Sequence, residues 1–442
     1  MQIQMNKSIY RGLSSIMMLL VVLTFASCEI DPVLDPNNPS VAGVSENATR
    51  SEIQNLIDGI QSGMRNSLNQ YYDAVGVVGR EYYRFSDSDP RLTSDLLGGG
   101  EAVLDNNTFY TTGPYAARYR VVNNCNILIN AAENTSNLTS DEVEVTVGFA
   151  KTIMAHELLM VLNQQYGNGI RTDVADFNNL GAFRSLTESL SDLSTILDDA
   201  ATSLAGGAEF PFGLTSGFAT TSSPGTFVLF NRALAARVHL YRGNYDDALT
   251  ALDNSFYDMM GDFNTGVFLP YSFDGGDLTN PMWFPANQAG ETRVAQIDFV
   301  PDADPQDARL YKATLRDAAA FSDELTSDYD VSVYASNIDP ISLIRNEELI
   351  LIFAEAHANN ANSGDAITAI DMIRTTHGLI GYTGGPSPDE LIDEILVQRR
   401  YSLYGEGHRW VDMRRNGKLG ELPIDRVGDD VWEQFPVPAT EG

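Results

Sequence analysis

The histidines are the first place to look for chemistry, because imidazole binds metals and transfers protons near neutral pH. The chain has five of them: His156, His239, His357, His377 and His408. His156-Glu157 begins like the zinc motif His-Glu-x-x-His, but Met160 stands where the second histidine would be. The sequence also contains no Gly-x-Ser-x-Gly turn and no phosphate-binding loop. We therefore predict a protein without catalytic residues, bound metal or cofactor.

An acidic run at residues 302–307 offers oxygen atoms of the kind that bind calcium. It reads Asp-Ala-Asp-Pro-Gln-Asp and lacks the central glycine and the terminal glutamate of an EF-hand loop. We therefore interpret it as a solvated acidic loop. The 60 aspartates and glutamates of the chain could also include a glycosidase pair, but no spacing selects two of them.

Cys28 is the residue with the most informative surroundings. Residues 1–27 carry cations near the start, an apolar run over residues 16–23, and the small pair Ala26-Ser27 directly before the cysteine. This order is typical of a secretory signal, and the apolar run is too short for a membrane span of about 20 residues. Small residues followed by cysteine resemble the bacterial lipobox. We predict that Cys28 is lipidated after export; ordinary secretion with an incidental cysteine is the alternative.

The composition limits the possible partners. The formal net charge is −32, so the surface repels nucleic-acid phosphates and anionic lipid headgroups, and we expect no nucleic-acid partner. A hydrophobic fraction of 43% is enough to build a substantial core. If Cys28 carries lipid, Cys125 has no partner for an intrachain disulfide, and we expect it to be a buried free thiol.

The rest of the chain is predicted to be one mostly helical domain over residues 45–442, preceded by residues 28–44 as the lipidated cysteine and an extended, proline-rich tether. Helical periodicity extends over four segments in the first half of the domain: 52–68, 115–130, 143–165 and 186–204. The segment 71–109 is rich in tyrosine and glycine and predicts long loops.

Two helical hairpins are predicted in residues 227–254 and 341–374, each with alanines where its two helices would face each other. In the first, Asn244 and Asp247 predict a helix start close to a capping box. Residues 150–168, which overlap the predicted helix 143–165, look like the first half of a third unit. Because small residues let two helices approach closely, we predict a scaffold of tetratricopeptide-like hairpins.

Residues 256–338 interrupt this series and have little helical period. Such a stretch is too long for a passive connection and predicts a loop-rich insertion on one face of the scaffold, where repeat proteins often bind their ligands. The last predicted helix, 387–404, has Ser387 as its cap, Pro388 at its first position and Glu390 at its third.

The end of the chain closely resembles the C-terminal signature of the SusD/RagB family of Bacteroidetes lipoproteins. The resemblance lies in Ile395-Leu396-Val397-Gln398-Arg399-Arg400 and in Glu406-Gly407-His408-Arg409-Trp410-Val411-Asp412-Met413-Arg414-Arg415. Gln398 and Ser402 depart from it, since the family usually has glutamate there, at what we interpret as structural ion-pair positions. Asp307-Ala308-Arg309 and residues 340–356 are similar to two further elements of the family.

The resemblance implies a mostly α, SusD-like fold and a glycan-binding lipoprotein on the outer membrane. Such a protein captures oligosaccharides, as part of polysaccharide utilisation, and passes them to a SusC-like TonB-dependent transporter that it caps as a lid. A peptide-binding, RagB-like lid or a protein-interaction scaffold is the first alternative. An exported glycoside hydrolase on a helical scaffold is the second.

A sugar site needs aromatic rings for stacking and polar side chains at its rim. Two loop regions offer that mixture, and their candidate ligand-binding residues are Tyr82, Tyr83, Arg84, Phe85, Tyr271, Trp283, Phe284 and Asn287. Trp283 is the first choice because it stands between two prolines in a predicted loop. Arg80 and Arg84 could together attract an anionic ligand. Trp410 belongs to the C-terminal signature and is predicted to lie in the core.

Overall fold

Helix caps that can be recognised in the sequence set several helix starts in the computed structural model, which describes residues 46–176 and 178–441. The Thr49–Glu52, Thr139–Glu142 and Ser185–Glu188 pairs form reciprocal capping boxes, which satisfy backbone N–H groups at a helix start. Ser387 caps the last long helix by accepting a hydrogen bond from the Glu390 N–H, as predicted. The predicted signal, Cys28 and tether lie outside the described residues.

Twelve α-helices occur in the described part of the chain. They are α1 Arg50–Gly63, α2 Leu68–Val78, α3 Ser94–Leu97, α4 Phe109–Asn134, α5 Ser140–Gln165, α6 Leu186–Leu204, α7 Pro224–Arg242, α8 Tyr245–Asp253, α9 Asn346–Asn359, α10 Ser363–Thr376, α11 Pro388–Ser402 and α12 Arg409–Arg415. From α4 to α11 each helix packs on the next one in the chain. This succession of neighbours is the arrangement that tetratricopeptide-like hairpins produce, so the predicted fold class is confirmed.

The centre of the scaffold is α5. Over Ser140–Asn168 the chain is long and apolar enough to cross a membrane by length and composition alone. However, 94% of the apolar 18-residue stretch within it is buried inside the fold. Burial of this kind is typical of the core helix of a folded domain. Cys125, on the neighbouring α4, is a buried free cysteine, as predicted.

The two predicted hairpins are α7–α8 and α9–α10, and alanines lie fully buried on both. One detail of the first was wrong: Asn244 precedes α8 without accepting a capping hydrogen bond, and its amide instead donates to the Asp247 carboxylate at 3.2 Å. In the second, residues 341–345 form a strand and not the start of a helix. Pairing with a distant strand decides their conformation.

Six strands are interleaved with the helices of the described residues. They are β1 Tyr82–Ser86, β2 Gly266–Leu269, β3 Glu291–Ala295, β4 Ala313–Ser322, β5 Leu325–Val331 and β6 Ile341–Arg345. One sheet has the order β1-β3-β5-β4, and β2 pairs with β6 in a second sheet. The insertion 256–338 is therefore more ordered than its composition predicts, because β2 and β3 pair with segments distant in the chain and β4 forms a hairpin with β5.

The prediction of long loops over 71–109 was also wrong in part. Most of α2, all of β1 and the short α3 lie there. The α2 sequence contains Gly76 and several valines, which are poor helix formers, so its helical conformation depends on packing against α4.

Candidate functional site

The pairing of β1 with β3 positions several of the predicted ligand-binding residues, which we call the loop surface: Arg84, Trp283, Phe284 and Asn287. In this antiparallel pair Arg84 lies directly opposite Arg293. The two guanidinium groups lie over the ring of Phe284, with their carbon atoms 4.9 Å and 4.8 Å from the ring centre. Each distance is within the range of a cation–π contact, so the strand pair holds Phe284 in a fixed place.

Asp73 on α2 supplies the negative charge beneath these two arginines. Its carboxylate accepts from Arg293 Nε at 2.6 Å and from Arg293 Nη2 at 2.8 Å, and it lies 3.6 Å from Arg84 Nε. Arg293 Nη1 donates to the carbonyl oxygens of Pro281 and Met282 at 3.1 Å and 2.9 Å. The buried Arg293 thus connects α2, β3 and the loop that contains Pro281 and Met282.

Glu291 occupies the outer end of the same strand pair. It accepts from Arg84 Nη2 at 2.6 Å, from Ser86 Oγ at 2.7 Å and from Ser88 Oγ at 2.8 Å. Burial raises the pKa of this carboxyl, but the hydrogen bonds from the two serines and the Arg84 charge outweigh burial and bring the pKa to about 2. Glu291 is therefore an anion at neutral pH and orients Arg84.

The loop from Pro281 to Gly290 carries the accessible members of the predicted site. Trp283 and Phe284 are half-buried and Asn287 is exposed. Asn287 has φ of +60°, its N–H donates to Asp330 at 2.6 Å, and its side-chain oxygen accepts from the Asp317 N–H at 2.7 Å. Its side-chain NH₂ group makes no hydrogen bond to any described residue and is available to a ligand oxygen.

Four of the predicted ligand-binding aromatics are buried in this structure. The exposed fractions of Tyr82, Tyr83, Phe85 and Tyr271 are 0%, 1%, 3% and 6%. Tyr82 donates its hydroxyl to the Tyr72 carbonyl at 2.8 Å, and Tyr83 stacks on Phe85. The run Tyr-Tyr-Arg-Phe lacks the apolar–polar alternation of a half-exposed strand, and that signal could have predicted burial on both faces.

Arg80 also lies away from solvent. It is fully buried and donates to backbone carbonyls, among them those of Asp430 at 2.6 Å and Pro423 at 3.2 Å. The predicted Arg80–Arg84 anion site is therefore not formed: Arg80 holds the C-terminal segment, whereas Arg84 faces the loop surface.

Three residues of this surface were missed by sequence reasoning: Asp73, Glu291 and Arg293. Asp73 was placed in a predicted loop, and the two strand residues carried no motif. Only the pairing of β1 with β3 and the packing of β1 on α2 bring them together.

The C-terminal signature is structural. Trp410 is fully buried, as predicted, and its Nε1 donates to the Trp432 carbonyl at 2.7 Å. Arg399 pairs with Asp412 at 2.6 Å, and Arg415 pairs with Asp412 at 2.9 Å and with Glu355. This buried ion network fastens α11 and α12 to α9.

The Asp-x-Arg element serves the same purpose. Arg309 forms a two-point pair with Asp307, at 2.9 Å and 2.7 Å, and donates to Ser402 Oγ at 2.9 Å. Ser402 thus accepts a hydrogen bond from the buried Arg309. Gln398 is buried and donates to Glu394 at 2.7 Å.

The acidic run 302–307 is engaged by arginines. Asp302 pairs with Arg400 at 2.8 Å, and Asp307 is held by Arg309. Within residues 46–176 and 178–441, no group of three or more histidine, cysteine, aspartate or glutamate side chains is placed to hold a metal ion.

Comparison with known proteins shows that the chain is similar to one family. Residues 285–434 match the model of the SusD family. A curated relative, "SusD-like protein P38" of Formosa agariphila, is 30% identical over 140 residues. That alignment covers 28% of this chain and 28% of the relative, so the chain matches well under half the length of this relative.

Solved structures show the same fold over most of the chain. A SusD superfamily protein from Bacteroides vulgatus has a TM-score of 0.67 at 17% identity, with 89% of this chain and 96% of the other covered. Surface glycan-binding protein A from Bacteroides uniformis has a TM-score of 0.66 at 15% identity, with 89% and 97% covered. The predicted resemblance to the SusD/RagB family is confirmed.

Proposed function

We propose that this SusD/RagB-like chain is a surface glycan-binding lipoprotein, anchored in the outer membrane through Cys28, that captures oligosaccharides for a SusC-like TonB-dependent transporter. Its SusD family match and its structural likeness to a glycan-binding protein support carbohydrate binding. The transporter partner and the lipid anchor follow from the resemblance and from the sequence around Cys28. The protein binds its ligand without cleaving it.

One observation carries the binding proposal: the loop surface of Arg84, Trp283, Phe284 and Asn287. Arg84 and Arg293 fix the Phe284 ring, so little side-chain entropy is lost when a sugar ring stacks nearby. Trp283 adjoins it in the chain and is half-buried, which leaves indole surface for the C–H face of a pyranose. Asn287 adds a free NH₂ donor for a hydroxyl.

The buried aromatics support this surface from below. The buried side chains of β1 are those of Tyr82, Tyr83 and Phe85. The ring centre of Tyr271 lies 5.6 Å from the guanidinium carbon of Arg65. The part of Tyr82, Tyr83 and Phe85 in binding is to hold β1 in place, and the contact with sugar belongs to the loop.

The test is a glycan microarray followed by calorimetry on the soluble chain. Trp283→Ala is expected to weaken binding of the best glycan by about tenfold or more, as loss of one stacking ring does. Phe321→Ala is the matched control, since Phe321 is 72% exposed but lies on β4, and it should leave binding unchanged.

Three outcomes would contradict the proposal. Equal losses of glycan affinity in Trp283→Ala and Phe321→Ala would show that the loop is not the binding site. Binding of peptides in the absence of any glycan signal would favour the peptide-binding lid. Release of shorter oligosaccharides from a bound glycan, detected by chromatography, would favour the hydrolase.

A further inference from the structure

A cleft that shares no lining residue with the loop surface is formed in part by residues of the segment 333–340. It is a cleft of about 300 Å³, at the lower end of the range for small-molecule sites. Half-buried rings of Phe263, Phe268 and Tyr334 form its walls, and Tyr311 is 66% exposed at its edge. Its charged lining includes Lys312 and Arg345.

Lys312 is the unusual member of this lining. Its side chain is buried, with 6% of the residue exposed, and its ammonium group donates to the carbonyls of Tyr401 at 3.0 Å and Ser402 at 2.6 Å. The other lysines in the described residues, Lys151 and Lys418, both pair with carboxylates. No carboxylate of the described residues lies within 4.0 Å of the Lys312 ammonium.

The other charged groups of the cleft already have partners. Arg345 pairs with Glu347 and, at 2.8 Å, with Glu406, while His377 lies 2.6 Å from Glu347. Arg309 is held by Asp307, as described above. Asp339, on the wall, accepts from the N–H groups of its own loop, including that of Ala335 at 2.6 Å. Lys312 is the cation of the described lining that has no carboxylate within 4.0 Å, and Asp339, held by N–H groups and the Ser336 hydroxyl, is the carboxylate without a cationic partner.

We propose that this cleft binds the carboxylate of an acidic sugar, a hexuronate unit, with Lys312 supplying the counter-charge and the aromatic walls contacting the sugar ring. A buried ammonium group gains more from an incoming anion than an exposed one does, because the local dielectric is low. Flat apolar walls select a ring-bearing carboxylate over a small inorganic anion. The proposal does not depend on the loop surface of Arg84, Trp283, Phe284 and Asn287.

Proton linkage gives this site its own signature. Burial lowers the pKa of Lys312 to about 8, helped by the nearby Arg345 and opposed by Glu347 and Glu406. At pH 8 about half of the molecules would carry a neutral amine, and a bound carboxylate would raise the pKa of Lys312 again. Ligand binding should therefore be accompanied by proton uptake. At pH 8 the uptake should reach about half a proton per bound ligand, and at pH 6 it should be almost zero.

The experiment is isothermal titration of the chain with galacturonate and glucuronate, against galactose and glucose as neutral matches. Titrations at pH 8 in two buffers of different ionisation enthalpy measure the proton uptake. We expect saturable hexuronate binding, at least tenfold weaker binding of the neutral sugars, and loss of both binding and proton uptake in Lys312→Met.

Two further variants keep the test decisive if Lys312→Met fails to fold. Tyr311→Ala removes an exposed ring at the edge of the cleft and should weaken hexuronate binding several-fold without moving the melting temperature. Trp283→Ala, on the other surface, should leave hexuronate binding unchanged, so that failure of one site is distinguishable from failure of the other.

The proposal would be overturned by any of four results. These are no hexuronate binding at millimolar concentration, equal binding of galactose, equal binding of acetate, or unchanged affinity and proton uptake in a folded Lys312→Met variant. Binding of a short peptide through its terminal carboxylate in place of the hexuronates would equally reject a sugar-acid site.

Discussion

Asp73 and Arg293 form a buried two-point ion pair that joins α2 to β3. The Nε–Oδ1 distance is 2.6 Å and the Nη2–Oδ2 distance is 2.8 Å, with both side chains almost fully buried. Through Arg293 the pair also holds the carbonyls of the loop that carries Trp283 and Phe284. A charge pair in the interior thus sets the position of a surface loop.

Removing the negative charge of this pair should be strongly destabilising. Asp73→Asn leaves the Arg293 guanidinium buried without a counter-charge, and we expect the free energy of unfolding to fall by about 3–5 kcal/mol. Urea denaturation measures the change. Asp199→Asn is the matched control, because Asp199 pairs with Lys151 on the surface and should contribute about 1 kcal/mol or less. Similar losses in the two variants would contradict the structural role of the buried pair.

The tryptophans Trp410 and Trp283 should separate stability from binding. Trp410 is fully buried, packs edge-on against Phe435 and lies under the Arg414 guanidinium. Trp410→Ala is expected to cost about 3–5 kcal/mol of unfolding free energy, as a core truncation does. Trp283→Ala should leave the melting temperature nearly unchanged. If Trp283→Ala is as destabilising as Trp410→Ala, the loop tryptophan packs rather than binds.

The turn of the second hairpin contains a residue in a strained conformation. Ala361 has φ of +56°, and the corresponding residue of the first hairpin is Gly243, with φ of +73°. Because a side chain disfavours this left-handed region by about 1–2 kcal/mol, Ala361→Gly should stabilise the protein by about 0.5–1 kcal/mol. Thermal and urea unfolding would both report the change.

A matched variant checks that this gain is local. Ala358→Gly places a glycine at a fully buried position in the last turn of α9, where it should cost at least about 1 kcal/mol. Gly243→Ala should also destabilise, by about 1 kcal/mol. A loss of stability in Ala361→Gly would show that the turn conformation differs from the one described.

Glu81 should make stability depend on pH. It is 2% exposed, one carboxyl oxygen accepts from the Gly405 N–H at 3.3 Å, and the other has no partner among the described residues. Burial raises the pKa of Glu81 to about 8, from a usual value near 4.5. The folded state therefore binds the extra proton, and this contribution to stability is lost as the pH rises from about 4.5 through 8.

Glu81→Gln removes that dependence. At pH 9 the variant should be more stable than the parent by an amount on the order of a few kcal/mol, and at pH 4 the two should be nearly equal. Melting temperatures of both proteins across this range supply the comparison. A difference that does not change with pH would contradict the assignment to the Glu81 proton.

Local signals were enough to predict the helical scaffold. The Ser387-Pro388-Asp389-Glu390 start depends on capping, the two hairpin turns depend on residues close in sequence, and α6 matches its predicted bounds. β2, β3 and β6 were missed, because each pairs with a segment far away in the chain. β4 and β5 form a local hairpin, but β4 is alanine-rich and mostly exposed, so it has no apolar alternation. Their residues carry no period that distinguishes them from loops.

Only some of the residues predicted for the candidate loop site are accessible in the structure. Trp283, Phe284 and Asn287 were predicted from composition, and the structure places them on the loop surface. Tyr82 and Tyr83 have the same composition signal, but both are buried: α2 and Tyr404 pack against Tyr82, and Asp425 lies beside Tyr83. Exposure depends on what packs over a residue, and no local pattern contains that information.

By itself, the sequence determined the helical hairpins, the start of α11, the buried Trp410 and the C-terminal resemblance, because these depend on caps, spacing and motifs within short stretches of chain. The tertiary structure alone decided that Arg84 lies opposite Arg293 with Asp73 beneath them, and that Lys312 is buried in a cleft with no described carboxylate within 4.0 Å. Both arrangements bring together residues more than 200 positions apart or from several elements. The charge balance of a site and the burial of its side chains both depend on residues that are distant in the sequence.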